Sequence, residues 1–342
     1  MRRSTTGLIA GAGAAAAGLA ALAWSRRRAR RPGDPGTRPV PKVPPAPARD
    51  EGPGPLDPAV TRHQVTTSDG GSIHVVDHGE GPTVVLVHGV TLTSDIWLNQ
   101  FDDLAATHRV IALDQRGHGR STAGDGGYAL TRMADDLLEV LDHLEVERVV
   151  LVGHSMGGMV SLTAATTRPE RFAARVAGMV LVSTSGGPYP TAGRRVPAPL
   201  ASGAVSVIGR QLARSEARGL GIVPVPRAAG MAARVAFGRE PSAADVELTR
   251  RVMAPMSPTA LAACIGAIAA HDVSTRLAAI SVPARVVVGT RDLLTPPFHA
   301  RRLAQGIAGA ELVVLPGCGH MPMLERREEL RDVIAGVAAA AR

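Results

Sequence analysis

The run RVVLVGHSMGGMVSLTAAT, residues 148–166, joins a short unbroken apolar segment to a helix-like one through GHSMG. A continuous apolar run of this length suits a strand buried on both faces, and the segment MVSLTAAT after it suits a packed helix. Ser155 stands between them, with Gly153 before it and Gly157 after it. A turn this sharp forces strained backbone angles on the serine and leaves room only for glycine on either side. The hydroxyl is then presented at a helix N-terminus, where free N–H groups favour negative charge. A serine alone is a poor nucleophile at neutral pH. The chain must also supply a base, a group to orient that base, and donors for the developing oxyanion.

Outward from this stretch, short apolar runs alternate with helical patterns. The runs are TVVLVHG (83–89), RVIALD (109–114), RVVLVGH (148–154), GMVLVST (178–184), ARVVVGT (284–290) and ELVVLPG (311–317). Before them, HQVTT and SIHVVD flank the turn DGG (69–71), which predicts an N-terminal hairpin. Helices are expected near 95–106, 155–167, 297–308 and 325–340. In LTRMADDLLEVLDHL (130–144), Met133, Leu137, Val140, Leu141 and Leu144 share one face. The alternation stops over 185–280, where four short helical patterns replace it. The pattern is α/β: a mostly parallel central sheet flanked by helices, with a helical lid inserted before the last two strands. The core then comprises 61–184 and 281–342, and the lid 185–280.

The net charge of +8 on 342 residues does not point to nucleic acid. Residues 1–60 carry 10 basic and 4 acidic groups, leaving only +2 on the rest, and aromatic residues are 2% of the chain. Residues 1–31 hold the uncharged stretch GLIAGAGAAAAGLAALAW (7–24), between Arg2-Arg3 and a cluster of five arginines. Its length predicts a single membrane anchor, and the arginine excess after it places the following domain in the cytoplasm. A cleavable export signal is the alternative. Residues 32–60 form a linker; Pro32 to Pro58 contains 10 of the 26 prolines. Cys264 and Cys318 lie far apart, and nothing in their spacing forces them to pair.

Three further loops complete the chemistry. His88-Gly89-Val90 ends the run TVVLVHG, where a loop N–H next to the serine turn is needed; the N–H groups of Val90 and Met156 are the expected oxyanion donors. Asp292 follows ARVVVGT, and His320 follows ELVVLPG. The order Ser155, Asp292, His320, each after its own strand, matches the order that a G-x-S-x-G elbow requires.

From residue 61 onward the chain resembles the α/β-hydrolase fold family, through LVHGVTLTSDIW, VIALDQRGHGRS, VLVGHSMGG, VVVGTRDLLTPP and GCGHMPMLE. The resemblance implies that Ser155 is the nucleophile, His320 the general acid/base and Asp292 its orienting partner. It makes DQRGHGRS (114–121) an architectural turn, so that Arg116, His118, His88 and His154 are packing groups rather than catalytic ones. No HExxH or paired Cys/His spacing occurs, so no metal is indicated, and no cofactor is expected. The expected activity is hydrolysis of a carboxylic ester or similar acyl substrate, small or lipid-like, through an acyl-enzyme. A cofactor-free haloperoxidase or perhydrolase activity and a non-catalytic ligand-binding role are the alternatives. Serine rather than aspartate at the elbow disfavours dehalogenase and epoxide hydrolase chemistry.

Overall fold

A computed structural model describes residues 60–187, 236–238, 241–253 and 256–341. One sheet of eight strands runs in the order β1-β2-β4-β3-β5-β6-β7-β8. The strands are β1 (Thr61–Thr66), β2 (Ser72–His78), β3 (Thr83–Val87), β4 (Arg109–Leu113), β5 (Val149–His154), β6 (Val176–Val182), β7 (Ala284–Gly289) and β8 (Glu311–Leu315). The hairpin β1–β2 is antiparallel and β2 joins β4 antiparallel; every other pairing is parallel. Each of the six apolar runs became a strand; those from β3 to β7 have a hydrophobic layer on both sides, whereas the edge strand β8 is fully buried only at Leu315.

In β3, Val85 and Val87 enter one layer, whereas Val84 and Leu86 enter the other. The first layer is closed by α2 (Leu130–His143) and α3 (Met156–Thr167), the second by α1 (Leu98–Ala105) and the C-terminal α9 (Arg327–Ala340). Met133, Leu137, Val140 and Leu141 of α2 are buried as the periodicity predicts, and Leu144 packs half-buried beside them. The described helices also include α4 (Pro169–Arg175), α5 (Ala243–Val252), α6 (Pro258–Ala270), α7 (Pro297–Gly306) and the single turn α8 (Pro322–Glu325). Helix α4 was not expected. Its only buried side chain is Phe172, so it carries no readable apolar stripe.

Of the four helical patterns expected between β6 and β7, the last two appear as α5 and α6, N-capped by Ser242 and Ser257. The first lies outside the described residues, as does nearly all of the second. The segments assigned to the anchor and the linker also lie outside them, save Val60.

The expectation of a membrane-anchored chain is corrected. Among the described residues no helix is long and apolar enough to cross a membrane. The longest, α2 and α9, have 14 residues. At 1.5 Å per residue this gives ~21 Å, short of the ~30 Å of a hydrocarbon core. Cys264 and Cys318 are both free and buried, so the pairing that spacing left open is not made. Burial pushes the Cys264 thiol up to about 12 and the Cys318 thiol upward as well, which keeps both protonated.

Candidate active site

Ser155 follows β5 directly and caps α3 with φ 52° and ψ −116°, an angle pair that costs a non-glycine residue ~1–3 kcal/mol. Tight packing holds it there. Its N–H donates to the Val182 carbonyl at 3.0 Å, and its carbonyl accepts from the Thr184 hydroxyl at 2.6 Å. Gly157 is required by close approach, since a Cβ there would stand 2.3 Å from the Val87 carbonyl oxygen and 2.6 Å from that of His88. Gly89 meets the elbow from the other side. A Cβ on it would lie 3.1 Å from Ser155 Cβ. The loop carrying Val90 therefore abuts the serine, and Met156, as the first residue of α3, leaves its N–H without an intrahelical acceptor.

Asp292 and His320 leave the neighbouring strands β7 and β8 and meet. His320 Nδ1 lies 2.9 and 3.0 Å from the two oxygens of Asp292, and both residues are buried. Asp292 is itself held by the N–H groups of Leu294 and Thr295 and by the Thr295 hydroxyl at 2.7 Å. Burial pushes the Asp292 carboxyl up, but the His320 ring and these hydrogen bonds outweigh it, so its pKa falls below the ordinary value. It stays a carboxylate, and the acceptor on that side fixes the proton of His320 on Nδ1. Nε2 is left as the basic nitrogen.

His154 links the two halves. Its Nε2–H donates to the main-chain carbonyl of His320 at 2.9 Å, and the two rings lie with centroids 4.8 Å apart. Among the described residues no hydrogen bond joins the Ser155 hydroxyl to His320. Burial, with the His320 ring second, lowers the His154 pKa to about 3, so it stands as a neutral neighbour. His88 donates from Nδ1 to the Gly89 carbonyl at 2.7 Å and accepts the Gln115 N–H at Nε2, which braces the loop before Val90. Arg116 is buried between Asp136 and Asp69. These contacts fit the architectural roles expected of His88, His154 and Arg116.

Two residues at the site were not singled out by the sequence. Thr295 bonds Asp292 and stands 3.2 Å from His320 Nδ1; its signal is the spacing D-x-x-T at a loop, which favours local side-chain-to-backbone bonds. Glu325 accepts from the N–H groups on both sides of His320. Its only signal is its place five residues after the histidine. Among the described residues no group of three or more His, Cys, Asp or Glu could hold a metal ion.

The chain matches the model of the alpha/beta hydrolase family over residues 84–333. It is 35% identical over 281 residues to a Variovorax paradoxus protein named "Putative carbamate hydrolase RutD", covering 78% of this chain and 97% of that one. Among solved structures, it resembles a thermophilic esterase from Thermogutta terrifontis at 27% identity and a TM-score of 0.67, over 82% of this chain and 99% of the esterase. It resembles the enol-lactonase from Burkholderia xenovorans LB400 at 25% identity and a TM-score of 0.65, over 81% and 100%. A sheet with this strand order, an elbow between β5 and α3, and a family match spanning most of the chain lead to one assignment: the protein belongs to the alpha/beta hydrolase family.

Proposed function

We propose that this hydrolase cleaves a carboxylic ester through an acyl-enzyme, with Ser155 as nucleophile, His320 as general acid/base and Asp292 as its orienting carboxylate. The observation that carries the reading is the Asp292–His320 pair at 2.9 Å, tied through the His154 side chain to the residue before a serine held at positive φ. In the reaction, His320 Nε2 takes the Ser155 proton as Oγ bonds to the acyl carbon. The contact between hydroxyl and imidazole tightens around the bound ester, as catalytic contacts often do. The oxyanion accepts from the N–H groups of Val90 and Met156. The C–O bond to the alcohol breaks, and the alcohol leaves with the proton held by His320. Water then gives a proton to His320 and its oxygen to the acyl carbon, releasing the acid and restoring the Ser155 hydroxyl.

Asp292 favours the imidazolium formed in both steps, and a neutral His154 adds no repulsion to it. The relatives' names support an acyl carbon bearing an oxygen or nitrogen leaving group: an esterase, an enol-lactonase and a carbamate hydrolase. Helices α5 and α6, inserted between β6 and β7, are the proposed described part of a lid over the strand ends. The test is hydrolysis of short-chain p-nitrophenyl esters by the protein lacking residues 1–59, with Ser155→Ala as control. Turnover that vanishes in the variant is expected. Equal turnover in the variant would refute the assignment of Ser155.

A further inference from the structure

The loop that carries His320 is short and rich in glycine, GCGH, and the one other side chain in it, that of Cys318, makes only long sulfur contacts, at 3.7 Å to the Gly319 carbonyl and to Glu325. Its support comes from outside. Glu325, at the end of α8, turns back so that its Oε1 accepts the N–H of Gly319 at 2.9 Å and that of Met321 at 3.4 Å, the residues on either side of His320. Its Oε2 accepts the N–H of Gly238 at 2.7 Å. Gly238 belongs to a different stretch of chain, which makes a second bond to the same loop: the His320 N–H donates to the Ala236 carbonyl at 2.6 Å. The two stretches touch so closely that a Cβ on Gly319 would stand 2.4 Å from the Phe237 carbonyl carbon.

We infer that Glu325 is a positioning residue for His320, its two oxygens clamping the amides that flank the histidine to the chain at Gly238. This rests on the proposed role of His320 as the base. Asp292 fixes the rotation of the imidazole, whereas Glu325 fixes the backbone from which the imidazole hangs. Without it the ring keeps its partner but its Nε2 is free to drift relative to Ser155. A 1 Å misplacement of a reacting group costs ~10²-fold in rate, so a modest loosening is enough to be measured. The environment of Glu325 is consistent with a built interior contact: burial pushes its carboxyl above the ordinary value, and the three amides pull partly against that.

The variant Glu325→Gln preserves volume but offers one acceptor oxygen. If that oxygen serves Gly319 and Met321, an NH₂ group faces the Gly238 N–H, donor against donor. The experiment measures the rate constant and the final stoichiometry with which a fluorophosphonate labels Ser155, alongside thermal unfolding. The phosphorus–oxygen bond forms as fluoride leaves, and the step needs the serine proton to pass to His320. We expect the rate constant of E325Q to fall about 10- to 100-fold while the labelled fraction at completion stays that of the parent protein. A merely structural role would do the reverse, lowering the labelled fraction and leaving the rate constant of the remainder unchanged; that result overturns the proposal. If E325Q is recovered unfolded, Glu325→Asp, which keeps the charge but withdraws it by one methylene, is held to the same two readings. A parent protein that labels at Ser155 while the variant matches it in rate overturns the role of Glu325 alone. A parent protein that does not label at all overturns the serine-hydrolase reading, and this inference with it.

Discussion

The side chain of His154 donates to the main-chain carbonyl of His320 at 2.9 Å, so the residue before the proposed nucleophile supports the loop of the proposed base. Exchange of His154 for Phe keeps a ring but removes the donor and leaves a buried carbonyl unpaired. We expect a loss of about 1–3 kcal/mol in stability, read from urea midpoints. An unchanged midpoint would show that the bond contributes nothing.

Several histidines are buried in their neutral form. Burial lowers the pKa of His118 to about 3 and those of His271 and His299 to about 4, as it does for His154. The unfolded chain takes up these protons near pH 6.5, the folded one only several units lower, so stability falls as pH drops from about 6.5 towards 4. Asp292 acts in the same direction further down: its lowered pKa contributes stability above pH ~4, lost as pH falls through the folded value. Unfolding midpoints that stay level between pH 7 and pH 4.5 would contradict this linkage.

Arg116 has no exposed surface, and its guanidinium binds Asp136 at 2.5 Å and Asp69 at 2.9 Å. It joins the turn of the N-terminal hairpin to α2. Removing it by Arg116→Ala strands buried negative charge, and we expect destabilisation of about 3–5 kcal/mol by denaturant unfolding. A loss below about 1 kcal/mol would show that Arg132, which also reaches Asp136, compensates.

Thr295 completes the shell of Asp292, donating to Oδ2 at 2.7 Å. Thr295→Val should lower ester turnover about tenfold, the effect of one lost hydrogen bond to a charged group. Asp292→Asn, which disturbs the tautomer of His320 itself, should lower it about 10⁴-fold. Equal effects from the two variants would mean that Thr295 is more than a supporting group.

The sheet was legible because a strand buried on both faces has to be apolar through its centre, and VVLV (84–87), VVLV (149–152) and VVV (286–288) each are. The candidates Ser155, Asp292 and His320 were singled out for a different reason: each stands past the end of a strand-like run, where a parallel sheet gathers its loops. Contacts made through the main chain were not legible. What the periodicity reads as one helix over 325–340 breaks at Arg326, with φ −141°, and Glu325, at the end of the preceding turn, directs its carboxylate to the His320 loop. An apolar stretch long enough to span a bilayer invited an anchor in 7–24, but length and composition do not establish that a segment inserts.

Attack of Ser155 on an acyl carbon, with His320 as its base, is probed at the reacting atoms themselves by peptide mapping of the protein after reaction with a fluorophosphonate. We expect a single phosphonyl adduct on the peptide containing VGHSMGG, formed together with loss of esterase activity and much more slowly in His320→Asn. An unmodified Ser155 in a protein whose ester hydrolysis is abolished, or labelling as fast without the histidine as with it, would contradict these roles.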